Sequence, residues 1–136
     1  MKERRNTLQK RIVSDVFFSM TNHPSAGMVY EAVREKYPSI SRATVYRLLA
    51  EAAEDGDIQR LKLTDANDRY DFTTTKHYHV VCRVCGAVAD VEAQVDDASI
   101  ANIAVGHEGF SVEGCHVEFV GVCEGCRNNN KTENNF

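Results

Sequence analysis

The sequence predicts an α+β chain in two parts: a helical amino-terminal unit closed by a β-hairpin, then a smaller α/β unit. Three observations carry this. Apolar residues recur at helical spacing in three segments before Gly56, two strand-like runs follow them, and the rest consists of short strands flanking cysteine pairs. A length of 136 residues suits one ordinary domain or two small ones, and 43% hydrophobic residues can build a core.

The first helix is TLQKRIVSDVFFSM, with Leu8, Ile12, Val13, Val16, Phe17 and Met20 on its apolar stripe. It stops at TNHP, where Pro24 disfavours helical geometry at His23. Ser25 caps a second helix through Val29, Tyr30 and Val33 to Tyr37, and Pro38 ends it. Ser41 caps a third, RATVYRLLAEAAEDG, which buries Val45, Leu48, Leu49 and Ala52 and stops at Gly56. Arg42, Tyr46 and Arg47 lie off that stripe. IQRLKL and DRYDF read as strands joined by the turn-prone TDAN. Three short helices and a hairpin make the order of a winged helix-turn-helix, whose third helix enters the major groove of double-stranded DNA. A small α+β domain with no nucleic-acid role is the alternative.

Charge supports the DNA reading. The net charge of −4 divides into +5 over residues 1–50, from nine basic and four acidic side chains, and −9 over residues 51–136. A basic half on an acidic chain is where a polyanion would bind. Arg42, Thr44, Tyr46 and Arg47 are the expected DNA-binding residues.

After the TTTK linker, VVC and VADVE read as strands, DDASIANIAV as a helix, and CHVEFVGVC as a strand with alternating sides. The expected domains are residues 1–73 and 74–127, with 128–136 a polar, disordered tail. No apolar run approaches the ~20 residues of a membrane span, and no signal-peptide pattern opens the chain. A cytoplasmic location is therefore expected.

There are five cysteines, and in a reducing compartment they read as metal ligands rather than disulfides. Cys82 and Cys85 form one C-x-x-C pair, Cys123 and Cys126 another, with 37 residues between the pairs. Two such turns can present four thiolates at tetrahedral corners around Zn(II), a closed and therefore structural site. A cysteine-ligated iron centre has the same donors. Redox chemistry of the thioredoxin kind needs one pair at a helix start, whereas both pairs here adjoin predicted strands. Cys115 is left over as a buried thiol, with a reactive thiol as the alternative.

His77 and His79 follow an H-x-H spacing, which in a strand directs both rings to one face. With the thiolates committed to zinc, Asp71, Asp90 and His23 are candidate partners. Three imidazoles and two carboxylates form an N/O-only set suited to Fe(II), Mn(II) or Zn(II), and five ligands on an ion preferring six leave one position open. Spacing alone supports only the H-x-H pair, since a histidine before proline is equally a loop residue. His107 and His116 have no partner at diagnostic spacing, and a minor second site at His116 stays open.

Over residues 5–127 the chain resembles the ferric uptake regulator (Fur) family of metal-dependent repressors. The matching segments are HPSA with Tyr30, SRATVYRLL, RYDF, HYHVVCRVCG and GVCEGC. The resemblance implies a homodimer of winged-helix domains on an α/β dimerisation domain, with zinc on the four cysteines. It also implies a regulatory Fe(II) or Mn(II) on residues matching His23, Asp71, His77, His79 and Asp90, and a palindromic operator. Aspartates at Asp71 and Asp90 resemble the peroxide-sensing branch, where iron sensors usually carry glutamate. The resemblance makes His23 and His77 the oxidation-sensitive residues. Arg47 departs from that branch, which often has asparagine there. No enzyme is expected: H-E-x-x-H is absent, as is H-x-E with P-C-x-x-C. Peroxide is the only small molecule expected, as signal rather than substrate. A protein-binding zinc-ribbon adaptor fits the basic first half poorly.

Overall fold

The computed structural model describes residues 2–64, 66–92, 98–100 and 108–129. The chain divides into two compact units, Met1–Thr75 and Lys76–Phe136.

In the first unit, helix α1 covers Lys2–Phe18, α2 Ala26–Lys36 and α3 Arg42–Glu54. Both expected caps form. The Ser25 hydroxyl accepts from the Met28 N–H at 3.2 Å, and the Ser41 hydroxyl from the Thr44 N–H at 3.1 Å. Each satisfies a donor that the helix start leaves without a partner. At the far end of α3, Gly56 takes φ 81°, which a residue with a Cβ adopts reluctantly. The helices pack through Val13, Phe17, Val29, Val33, Val45, Leu48 and Leu49, joined by Ile40, Ile58 and Tyr70. Leu8, expected in this core, is instead exposed. It lies a turn before Ile12, where the buried stripe of α1 begins.

Strands β1 (Gln59–Leu61) and β2 (Arg69–Asp71) pair antiparallel, with Arg60 opposite Tyr70, and form the wing. Tyr70 is drawn into the helical core, so the wing is anchored at its second strand.

In the second unit, β3 (Tyr78–Cys82) is the middle of a three-stranded sheet. It pairs antiparallel with β4 (Val88–Val91) and parallel with β5 (Phe119–Gly121). Helix α4 (Glu124–Asn129) follows. The long alternating strand expected over CHVEFVGVC reduces to β5, because only residues 119–121 reach a ladder partner on β3. Of the helix expected over DDASIANIAV, residues 98–100 are helical and the rest lies outside the described residues. Asn128 and Asn129, expected in the disordered tail, are instead helical and complete α4. Residues 130–136 lie outside the description. Among the described residues, no helix is long and apolar enough to cross a membrane.

Candidate metal centre

The four cysteine sulfurs are brought together by the second unit alone. Cys82 ends β3, and its N–H donates to the Ala87 carbonyl at 2.8 Å. The Gly86 N–H returns to the Cys82 carbonyl at 2.9 Å, closing the turn that carries Cys85. Gly86 sits at φ 80°, the conformation that glycine tolerates best. The second pair departs from expectation: Cys123 stands directly before α4 and Cys126 lies in its first turn, so this C-x-x-C opens a helix. The Arg127 N–H donates to the Cys123 carbonyl at 2.9 Å, and Glu124 suits the positive end of the new helix.

The four sulfurs lie within 4.8 Å of one another, with Cys85 and Cys123 3.7 Å apart. A tetrahedron with Zn–S bonds of about 2.3 Å has edges of about 3.8 Å, so the donors fit zinc. Their proton affinities diverge. Backbone N–H groups of Cys85 and Cys123 stabilise the Cys82 thiolate and lower its pKa from 9.0 to about 6. A side-chain hydrogen bond with Cys123, and then desolvation, push Cys126 up to about 12. A divalent cation resolves this crowding by taking all four sulfurs as thiolates. Cys115, expected to be buried, is exposed and stands outside the quartet.

The histidines and aspartates fall into two sets, one in each unit. In the first unit, His23 Nε2 lies 3.3 Å from Asp71 Oδ2, and both side chains are largely buried. Asp71 closes β2, and one of its oxygens also accepts from the Thr73 N–H at 2.9 Å. In the second unit, His79 faces Asp90 across the β3–β4 ladder. Asp90 Oδ1 lies 3.3 Å from His79 Nε2 and 3.2 Å from His77 Nε2. The two imidazoles stand 4.4 Å apart between centroids, on one side of the strand as their spacing requires. Tyr78, between them in sequence, turns to the other face and meets Phe119 edge-on. Each unit thus presents imidazole and carboxylate donors side by side, the chemistry of a hard or borderline divalent ion. His116 is exposed, and His107 lies outside the described residues.

On α3, Arg42, Tyr46 and Arg47 are exposed as expected. Arg42 stacks over Tyr30, 4.9 Å from its centroid, and donates to the Tyr46 hydroxyl at 3.1 Å. Arg47 pairs with Glu51 at 3.1 Å. Thr44 is half-buried and shares its hydroxyl with Ser41 at 2.8 Å, an interaction of the helix start. Sequence reasoning missed Arg69, which donates to the His23 carbonyl at 2.9 Å. An arginine inside a strand run carries no signal of that partner.

A winged-helix unit followed by a thiolate-stapled sheet bearing histidines and aspartates defines a metal-dependent transcription regulator. The Ferric uptake regulator family model matches residues 2–120, and the chain belongs to that family. It is a regulator and not an enzyme, and the family's members are dimeric DNA-binding repressors. Its relatives include the peroxide operon regulator of Bacillus subtilis, 34% identical over 122 residues, covering 90% of this chain and 83% of that protein. The peroxide-responsive repressor of Staphylococcus epidermidis is 33% identical over 124 residues, covering 90% and 81%. Among solved structures, the Campylobacter jejuni peroxide stress regulator aligns with a TM-score of 0.57 at 32% identity, over 66% of each chain. The Helicobacter pylori ferric uptake regulator shares the fold, with a TM-score of 0.67 at 22% identity over 88% of this chain and 79% of that one.

Proposed function

We propose that this chain is a cytoplasmic repressor that senses hydrogen peroxide by losing a histidine ligand, and then leaves its palindromic operator. The observation that carries the reading is the donor set: imidazoles beside aspartates, with no sulfur among them, in a chain about a third identical to peroxide-responsive repressors. Zn(II) is held by Cys82, Cys85, Cys123 and Cys126 and keeps the second unit, and through it the homodimer, assembled. The regulatory ion, Fe(II) or Mn(II), is held by His23, Asp71, His77, His79 and Asp90. At these residues Fe(II) would supply the reducing power that activates peroxide next to the imidazoles, whereas Mn(II) would not.

The remaining steps belong to the chain. One ring carbon of His23 or His77 takes one oxygen of the peroxide, the other oxygen leaving as water, and the modified ring loses its donor nitrogen. With a ligand lost, the two units are no longer held by a common ion. The recognition helices of the dimer then lose the spacing that two half-sites demand. Arg42, Thr44, Tyr46 and Arg47 are the proposed DNA contacts.

Mass spectrometry of tryptic peptides tests the chemistry. After brief peroxide treatment, the iron-loaded protein should gain one oxygen on the His23 or His77 peptide, and the manganese-loaded protein should not. Release from DNA that tracks zinc loss and disulfide formation at Cys82 and Cys85 would replace the histidine mechanism with a thiol one. The second reading is an iron- or zinc-responsive repressor without peroxide chemistry, favoured by arginine at position 47. DNA binding by the iron-loaded protein that ignores peroxide would establish it.

A further inference from the structure

We propose that Arg69 is a positioning residue for the His23 ligand and couples it to the wing. This rests on the reading of His23 as a ligand of the regulatory ion. Among the described residues, His23 is the only non-glycine residue with positive φ, at 51°. There the Cβ crowds its own peptide, so neighbours must hold the residue in place.

The neighbours are three consecutive residues of β2. The Arg69 guanidinium Nη1 donates to the His23 carbonyl at 2.9 Å, with the Asn22 carbonyl a longer contact at 3.4 Å. The Tyr70 N–H donates to the Pro24 carbonyl at 2.8 Å. Asp71, the next residue, meets the His23 ring at 3.3 Å. Two wing residues thus fix the backbone of the ligand loop, and the third meets the imidazole. The usual negative φ would swing the His23 Cβ off this line. The half-site is therefore set before metal arrives, and a change at the imidazole reaches the wing through the same bonds.

The test is Mn(II) affinity of the full-length, zinc-loaded protein, read by electron paramagnetic resonance. Arg69→Leu should weaken binding about 10- to 100-fold, as for other residues that orient a ligand. In a His23→Ala background it should change affinity by less than about twofold, because residues acting through one contact do not add. Equal losses in both backgrounds would overturn the proposal, since Arg69 would then serve the fold and not the ligand. A His23→Ala protein that binds Mn(II) like the parent would remove the ligand assignment itself, and this proposal with it. Arg69→Lys covers the case in which Arg69→Leu does not fold: an ammonium lacks the guanidinium fork, so an intermediate loss is expected, and parental affinity overturns the role. For the coupling, the Tyr70 amide should exchange with solvent more slowly once Mn(II) is added to the parent. An unchanged rate overturns that part.

Discussion

Arg47 and Glu51 approach to 3.1 Å, yet both side chains are about half exposed, at 48% and 52%. Such a surface pair is worth about 0–1 kcal/mol, while an arginine on a guanine edge discriminates by about 1–3 kcal/mol. The proposed base contact would therefore outweigh the pair, and Arg47 could exchange one partner for the other. Arg47→Ala should flatten discrimination among single-base operator variants by that amount while zinc content and dimerisation persist. Unchanged discrimination, measured by fluorescence anisotropy, would reduce Arg47 to a phosphate contact or a bystander. The cysteines support a second prediction, about pH. The folded pKa of Cys82 is depressed from 9.0 to about 6, so its contribution to stability is full above pH 9 and lost as pH falls through 6. Cys126 is raised to about 12, so its contribution is full below pH 9 and lost as pH rises through 12. In metal-free protein, the gap in urea midpoint between the parent and Cys82→Ser should therefore widen from pH 6 to pH 9. A gap that is constant across that window would mean that the Cys82 thiolate gains nothing from folding.

Helix α3 shows how far local sequence reaches. Its cap, buried stripe and terminal glycine were all legible, because Ser41, Val45, Leu48, Leu49 and Gly56 act within one or two turns of themselves. Ser41→Ala removes the acceptor for the Thr44 N–H and should cost about 0.5–2 kcal/mol in thermal or urea unfolding. A change within error would show that water satisfies that donor equally well. The His77–His79 and Cys82–Cys85 spacings were legible for the same local reason. What failed needed partners distant in sequence. Periodicity over CHVEFVGVC could not reveal that only three residues pair with β3. The helix opened by Cys123 depends on an N–H four residues on, in a segment too short to show a period. The φ of His23 depends on a loop held by Arg69, across 46 positions of chain, and no local pattern encodes that. Leu8 misled for the converse reason: it continues the helical period past the point where the core ends.

At the scale of the whole molecule, the zinc quartet joins the end of β3 to the start of α4, so one lost thiolate loosens both. Zinc-finger peptides draw roughly 10–16 kcal/mol from such a site, more than a unit whose buried apolar residues, among those described, are Tyr78, Cys82 and Val88 can replace. Cys123→Ser should therefore lose zinc and run as a monomer on sizing, and a zinc-loaded dimer would refute that structural role. The regulatory ion poses a different question, because its proposed ligands belong to both units. If metal and operator favour the same dimer geometry, their binding is linked, and linkage is reciprocal. Mn(II) should then tighten operator binding by some factor within about 5- to 150-fold, and saturating operator should tighten Mn(II) by the same factor. Manganese is the ion to use, since under the proposed mechanism it would leave its ligands unoxidised. Titrating Mn(II) into free and operator-bound protein, and operator into metal-free and Mn(II)-loaded protein, closes the cycle. Each of His23→Ala and His79→Ala should reduce both factors together, because each removes a ligand from a different unit. Were the ion instead to act within one unit, only one of these substitutions would lower the coupling. Two substitutions in separate units therefore distinguish an ion that holds the molecule closed from one that merely stabilises the part that binds it.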